Sequence, residues 1–283
     1  MRRERRGQWH SRSVATQIVI ADPDDDRVDD FRDLKRADRR PDRPGGKGLV
    51  IAEGTVVVRR LIASPYRVRA ILGVARRLDE LRDDLVDVDC PAYVASADVM
   101  ATVVGFHLNR GVLAVADKVP QPSVAELAAS ARTVVVLEGV GDHENIGALF
   151  RNAAALGVDG VVLGAGCADP LYRRSVRVSM GHVLRVPFAT AEEWPEALKT
   201  LRDSGFRVAA LTPRRNAVSL HDVQPREGER IAVLLGAEGD GLTDAAIEAS
   251  DVAVRIPMAE GVDSLNVATA GAIACYELAH RVS

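Results

Sequence analysis

Cysteine is scarce in this chain of 283 residues: Cys90, Cys167 and Cys275 are odd in number, widely spaced and free of any CxxC pairing. That excludes a disulfide framework and a zinc ribbon, and it fits a reducing compartment, the cytoplasm. Aromatic residues make up only 4%, so the interior must be filled by aliphatic side chains. No apolar run approaches the roughly 20 residues that cross a bilayer, so a soluble protein without a membrane partner is expected. The opening MRRERR lacks the apolar centre of a signal peptide, and the acidic ADPDDDRVDD soon after it is foreign to an organelle transit peptide. Net basic charge is absent too. At a formal charge of -3, any nucleic acid must be met by a local basic surface rather than by the field of the whole molecule.

Several chemistries lack their motifs. The six histidines form no HExxH or other i,i+4 pair, so no metal is expected, and no GxSxG nucleophile elbow occurs. Lys47 follows Gly46 as in a phosphate loop, but Gly48 stands where Ser or Thr is required, which leaves a hinge. Gly164-Ala-Gly166 has Asp169 in place of the third glycine of a dinucleotide fingerprint, and GAEGDG reverses the fingerprint's order. A nicotinamide site is therefore not indicated.

What is present is 47% hydrophobic residues, dominated by Val, Ala and Leu. β-Branched strands beneath Ala/Leu-rich helices are expected, an α/β fold. Residues 1–47 are dense in Arg and Asp and end in RPDRPGGKG, which reads as a mobile charged arm. Residues 48–117 read as a small α/β domain: LVIAEG, VRAILGV and GVLAVA as strands, TVVVRRLI as helix or strand, ADVMATVV as a helix. Residues 118–132, with the proline-bearing KVPQPS, read as a linker. Residues 133–283 alternate strand and helix: TVVVLE, GVVL, VLRVPF, RVAALT, RIAVLLG and VAVRIP as strands, with helices over 146–156, near Arg173, after Glu192, near Asp244 and over 265–280. That pattern predicts a mainly parallel sheet covered on both faces.

Three polar stretches follow apolar runs there: NIGALFR (Asn145 to Arg151), LGAEGDGL (Leu235 to Leu242) and IPMAEGVDSLN (Ile256 to Asn266). Loops at the carboxyl ends of parallel strands form the ligand crevice, so three such exits point to one pocket. Asn145 is placed to cap a helix, with Arg151 one turn beyond Gly147. Gly236, Gly239 and Gly241 permit a backbone pressed against a ligand, and Glu238 puts a carboxylate in the same loop. Asp263 or Ser264 can cap the last helix, while the amide of Asn266 is best explained if it reaches back into a site. His143, close to the first stretch, reads as a loop histidine.

Taken together, in this order and spacing, the three stretches resemble the signature of the SpoU (TrmH-like) branch of SPOUT RNA 2'-O-ribose methyltransferases. The resemblance runs from about Thr133 to the C-terminus. The smaller domain is similar to the family's ribosomal-protein-like RNA-binding domain, with NRGVLA (Asn109 to Ala114) matching its closing strand. It implies a C-terminal trefoil knot, which periodicity alone would never suggest, and S-adenosylmethionine as cofactor, held by Gly236, Ile256 and Leu265. It also implies a homodimer through the last helix, where Ala268, Ala270, Gly271, Ala272 and Ala274 suit close contact. Asn145, Arg151, Glu238, Ser264 and Asn266 would line the transfer site. Arg151 is often cast as general base, but a guanidinium resists deprotonation. It is better suited to polarise the ribose hydroxyl and hold the adjacent phosphate, leaving a phosphate oxygen or Glu238 to accept the proton. The implied substrate is structured RNA, ribosomal rather than transfer RNA. The alternatives are a tRNA 2'-O-methyltransferase, a knotted enzyme that methylates a base, and a catalytically silent RNA-binding assembly factor.

Overall fold

The computed structural model describes residues 15–32, 34, 48–223 and 225–279. It divides into two compact units, Met1–Lys118 and Val119–Ser283. In the first unit the chain forms β1 (Gln17–Ile20), a 3-10 turn (Asp26–Phe31), β2 (Leu49–Glu53), α1 (Thr55–Ile62), β3 (Val68–Gly73), α2 (Ala75–Glu80), β4 (Ala92–Ala95), α3 (Ala97–Val104) and β5 (Val112–Asp117). The sheet order is β1-β4-β3-β5-β2. β1, β4 and β3 run parallel, and β5 is antiparallel to both β3 and β2. TVVVRRLI, open between helix and strand, is a helix because its Val57, Val58 and Leu61 fall on one buried face.

This differs from the mobile arm expected over residues 1–47. Residues 17–20 pair with β4, and Val28, Phe31 and Leu34 are buried in one core with Leu72, Leu113 and Val115. Apolar residues three apart make a buried stripe even where aspartate and arginine dominate the composition. Asp25 caps the turn by accepting from Arg27 N–H, and the hydrogen-bonded Arg27 guanidinium lowers its carboxyl to about 2. Residues 1–14, 33 and 35–47 lie outside the described residues, and so do Gly46 and Lys47 of the expected hinge.

The second unit comprises α4 (Val124–Ser130), β6 (Thr133–Leu137), α5 (His143–Ala155), β7 (Gly160–Leu163), α6 (Arg173–Val178), β8 (Phe188–Thr190), α7 (Glu196–Asp203), β9 (Phe206–Leu211), β10 (Val218–Ser219), β11 (Arg230–Leu235), α8 (Asp244–Glu248), β12 (Val252–Arg255) and α9 (Val267–Ala279). Its sheet, ordered β10-β12-β9-β11-β6-β7-β8, is parallel at every pairing. Every residue of β6 and β7 is buried, as parallel strands covered on both faces require. The expected linker, residues 118–132, contains α4: Ser123 and Glu126 form a reciprocal capping box, and Leu127 and Ala128 enter the second core. VLRVPF is only partly strand. His182–Leu184 is a 3-10 turn, and pairing begins at Phe188, after Pro187, which has no N–H to give a ladder.

Polar side chains secure the amino-terminal edge of this sheet. Asp159 accepts from the N–H groups of Arg132 and Thr133 at 2.8 and 2.9 Å, and Asp251 accepts from Val208 N–H at 2.8 Å. Arg230 donates to the carbonyls of Ala128 and Ala131, at the end of α4, and of Ser204, after α7, with its guanidinium over the Phe206 ring. The opposite edge is left for longer loops.

Candidate active site

β6 sends the chain outward to β7 and β8, and the chain returns to β9 on the other side before β11 enters between β9 and β6. The order therefore reverses beside β6, and the crevice at such a switch point lies at the carboxyl ends of the strands. The exits of β9, β11 and β12 line a cavity of about 400 Å³, within the range of small-molecule sites. Its wall includes Leu235 and Gly236 through Gly239 of the glycine loop, Ile256 and Met258 after β12, and Ser264 through Val267 leading into α9. Gly236, Ile256 and Leu265, the three residues expected to hold a cofactor, all face it.

The glycine loop closes on itself. Gly241 N–H donates to the Ala237 carbonyl at 3.1 Å, and Gly239 and Gly241 have φ of +92° and +71°. A side chain at Gly236 would meet the Gly241 carbonyl carbon at 2.3 Å and Leu242 N at 2.4 Å. Gly236 thus has a steric reason for its identity as well as a place in the wall.

Asn266 joins the three polar stretches. Its Oδ1 accepts from the N–H groups of Ala268 and Thr269 at 3.0 and 3.2 Å, which caps α9. Because the helix holds that oxygen, the amide nitrogen is turned to the other side. Nδ2 donates to Asn145 Oδ1 at 2.8 Å and to Glu238 Oε1 at 2.7 Å. Neither expected cap is the observed one: Asn266, not Asp263 or Ser264, starts α9, and Asp142, not Asn145, caps α5 by accepting from Glu144 and Asn145 N–H. Asn145 sits in the first turn with its side chain free for Asn266. Ser264 is exposed in the cavity wall. Arg151 is exposed farther along α5 and makes none of these contacts.

α5 and α9 are locked together beside the site. Asn152 Nδ2 donates to the Ala268 carbonyl at 2.9 Å, and a side chain at Gly271 would lie 2.8 Å from Leu235 Cδ1 and 2.9 Å from Leu149 Cδ2. The close contact of the small residues Ala268, Gly271 and Ala274 is therefore made within the chain, while Ile273 and Tyr276 of α9 are exposed. At the start of α5, Gly147 packs where a side chain would meet Val178 Cβ at 2.7 Å and the Ser175 carbonyl at 2.8 Å. Glu144 pairs with Arg174 there, and the His143 ring lies 4.2 Å from that of Tyr172.

Sequence reasoning missed Leu211, Thr212 and Pro213, the β9 exit, which form part of the wall. The signal was the polar break TPRRN after an apolar run, the same kind of strand exit as the other three. Among the described residues no cluster of His, Cys, Asp or Glu could hold a metal ion, and no helix is long and apolar enough to cross a membrane.

Residues 132–276 match the model of the SpoU rRNA Methylase family. A tRNA/rRNA methyltransferase of Mycobacterium tuberculosis, itself uncharacterized, is 64% identical over 259 residues, 91% of this chain and 90% of that protein. The 23S rRNA (guanosine(2553)-2'-O)-methyltransferase of Bacillus subtilis is 29% identical over 247 residues, 87% and 94% of the two chains. Among solved structures, the AdoMet-bound rRNA methyltransferase from Sinorhizobium meliloti superposes with a TM-score of 0.79 at 22% identity, covering 94% of this chain and 99% of that one, and shares its fold. By sequence and by architecture, the chain belongs to the SpoU family of RNA methyltransferases.

Proposed function

We propose that this protein transfers a methyl group from S-adenosylmethionine to a ribose 2'-hydroxyl in structured RNA, and that the RNA is ribosomal. One observation carries the reading: Asn266 holds Asn145 and Glu238 in a single hydrogen-bonded set at the rim of a cavity of about 400 Å³. The cavity suits the cofactor by its chemistry. Leu211, Leu235, Ile256, Met258 and Val267 offer apolar surface for a purine, and the glycine loop brings backbone polar groups to its edge. When bound, the cofactor supplies an electrophilic methyl group on sulfonium sulfur. The chain's own task is to align the ribose oxygen with that methyl and to hold the reacting atoms within about 3–3.5 Å. Arg151 polarises the hydroxyl and holds the neighbouring phosphate, while Glu238, oriented by Asn266, or a phosphate oxygen accepts the proton.

The activity named for the Bacillus subtilis relative supports ribosomal RNA over transfer RNA. Under this reading Met1–Lys118 holds the RNA, and it carries 22 basic against 19 acidic residues. The same reading includes the knot, since β11 enters late between β6 and β9 and α9 returns onto α5 and β11. It also includes a homodimer, for which exposed Ile273 and Tyr276 offer an apolar stripe on α9. The test is transfer of radiolabelled methyl to RNA from cells lacking the gene, followed by alkaline digestion. A ribose methyl leaves a gap in the ladder; label without a gap indicates a base methyltransferase, and RNA binding without label an assembly factor. Near-normal turnover in Arg151→Lys would refute the need for a planar guanidinium.

A further inference from the structure

Behind the cavity, outside its wall, lies a buried carboxylate to which the reaction assigns no part. Glu138, directly after β6, is 5% exposed. Its Oε1 accepts from Trp194 Nε1 at 2.6 Å and from Thr243 Oγ1 at 2.8 Å, and its Oε2 accepts from Thr243 N–H at 2.9 Å. All three bonds are accepted, as a carboxylate does. The two donor residues belong to different parts of the site's frame. Thr243 caps α8 through Ala246 N–H and stands where the glycine loop ends. Trp194 covers the β7 exit so closely that a side chain at Gly164 would lie 2.7 Å from its ring. Glu138 N–H donates to the Leu235 carbonyl at 2.9 Å, and a side chain at Gly139 would lie 3.1 Å from Ala237 Cβ. Both ends of the loop from Gly236 to Leu242 are therefore fastened at Glu138.

We propose that Glu138 is a positioning residue, a buried clamp that fixes the glycine loop from behind and so sets both the cavity wall and the placement of Glu238. The proposal rests on the cavity being the methyl-donor site. Glutamine at this position must turn an N–H toward one of the donors, leaving two donors facing each other. The loop should loosen while the sheet, anchored by its own ladders, holds.

The experiment compares the full-length wild type with Glu138→Gln and Trp194→Phe by amide hydrogen exchange without ligand, by calorimetry with S-adenosylhomocysteine, and by the KM for S-adenosylmethionine against kcat. In Glu138→Gln, exchange across residues 237–243 should rise about tenfold with β2 and β5 unchanged, and S-adenosylhomocysteine should bind about tenfold more weakly. The donor KM should move more than kcat. Trp194→Phe removes one of the three bonds and should show the same pattern at a smaller size. In a Trp9→Phe background Trp194 is the sole indole, and Glu138→Gln should shift its emission. Unchanged exchange over 237–243, or an unchanged donor KM, overturns the proposal; if Glu138→Gln does not fold, the same outcomes in Trp194→Phe decide it. A wild type that takes up no S-adenosylhomocysteine would sink the methyl-donor reading instead, and exchange in the ligand-free proteins would still decide whether Glu138 clamps the loop.

Discussion

The two sheets of this chain are woven from similar aliphatic runs, yet they distribute their strand ends differently. In Met1–Lys118, β5 runs against both of its neighbours, so the exits are shared between two edges. In Val119–Ser283 every pairing is parallel, so each carboxyl exit opens on one edge. There Asn145 and Asn266, 121 positions apart in sequence, come within hydrogen-bonding distance. Charge differs as well: 22 basic and 19 acidic residues in the first unit, 15 and 21 in the second. Parallel order gathers chemistry at one rim, and the cationic excess lies in the other unit, a division that suits separate roles in catalysis and RNA holding.

The first unit depends on its N-terminal segment, which supplies β1 and part of the core. Phe31 is fully buried in that unit's core, and Phe31→Ala should cost about 3–5 kcal/mol, read as an early denaturation transition. Calorimetric uptake of S-adenosylhomocysteine by the second unit should persist at temperatures below that transition. A loss under about 1 kcal/mol would restore the mobile arm.

The second unit is tested at Asn266, where two roles can be separated. Asn266→Asp keeps an oxygen to cap α9 but removes both donated bonds and sets a carboxylate against Glu238. Methyl transfer should fall about 100-fold or more, by analogy with the loss of one oriented donor in other active sites. Asn266→Ala also forfeits the cap, at about 1 kcal/mol of stability. Equal melting temperatures for the two variants would show that the cap does not matter, and wild-type turnover in Asn266→Asp would remove the site's organising bond.

A third substitution separates packing from chemistry inside the first polar stretch. A methyl group at Gly147 would overlap Val178 and the Ser175 carbonyl, and Gly147→Ala should cost about 1–3 kcal/mol in denaturant unfolding. The first unit's transition should not move.

Local pattern made most helices and the long strands legible, because apolar period and turn residues are written in consecutive positions. β1 escaped because four residues followed by aspartates, of which only Ile20 is buried, carry too little period, and the partner strand β4 lies 75 positions later. The short β4, AYVA, offered as little. At the site, residue types and the family resemblance pointed to Asn145, Glu238 and Asn266, but which of them caps a helix and which reaches across depends on a start point two or three residues away. Glu138 was out of reach for a different reason. Its partners Trp194 and Thr243 are brought to it by strand order, a nonlocal property, and no spacing in the sequence states that β11 lies between β6 and β9.

The smallest effect follows the two units separately through pH. Burial pushes the Cys275 thiol, in the second unit, up to about 12, and burial helped by Asp89 pushes Cys90, in the first, up to about 11, against an ordinary value of 9.0. Between about pH 9 and those values the unfolded chain releases the proton and the folded one keeps it. Stability is therefore full below pH 9 and declines as pH rises above it, by about 1 kcal/mol per thiol at pH 10. Denaturation midpoints at pH 8 and pH 10 should show the decline. Cys275→Ala should flatten it for the second unit's transition alone and Cys90→Ala for the first's; a slope that survives in both variants would place its origin outside the buried thiols.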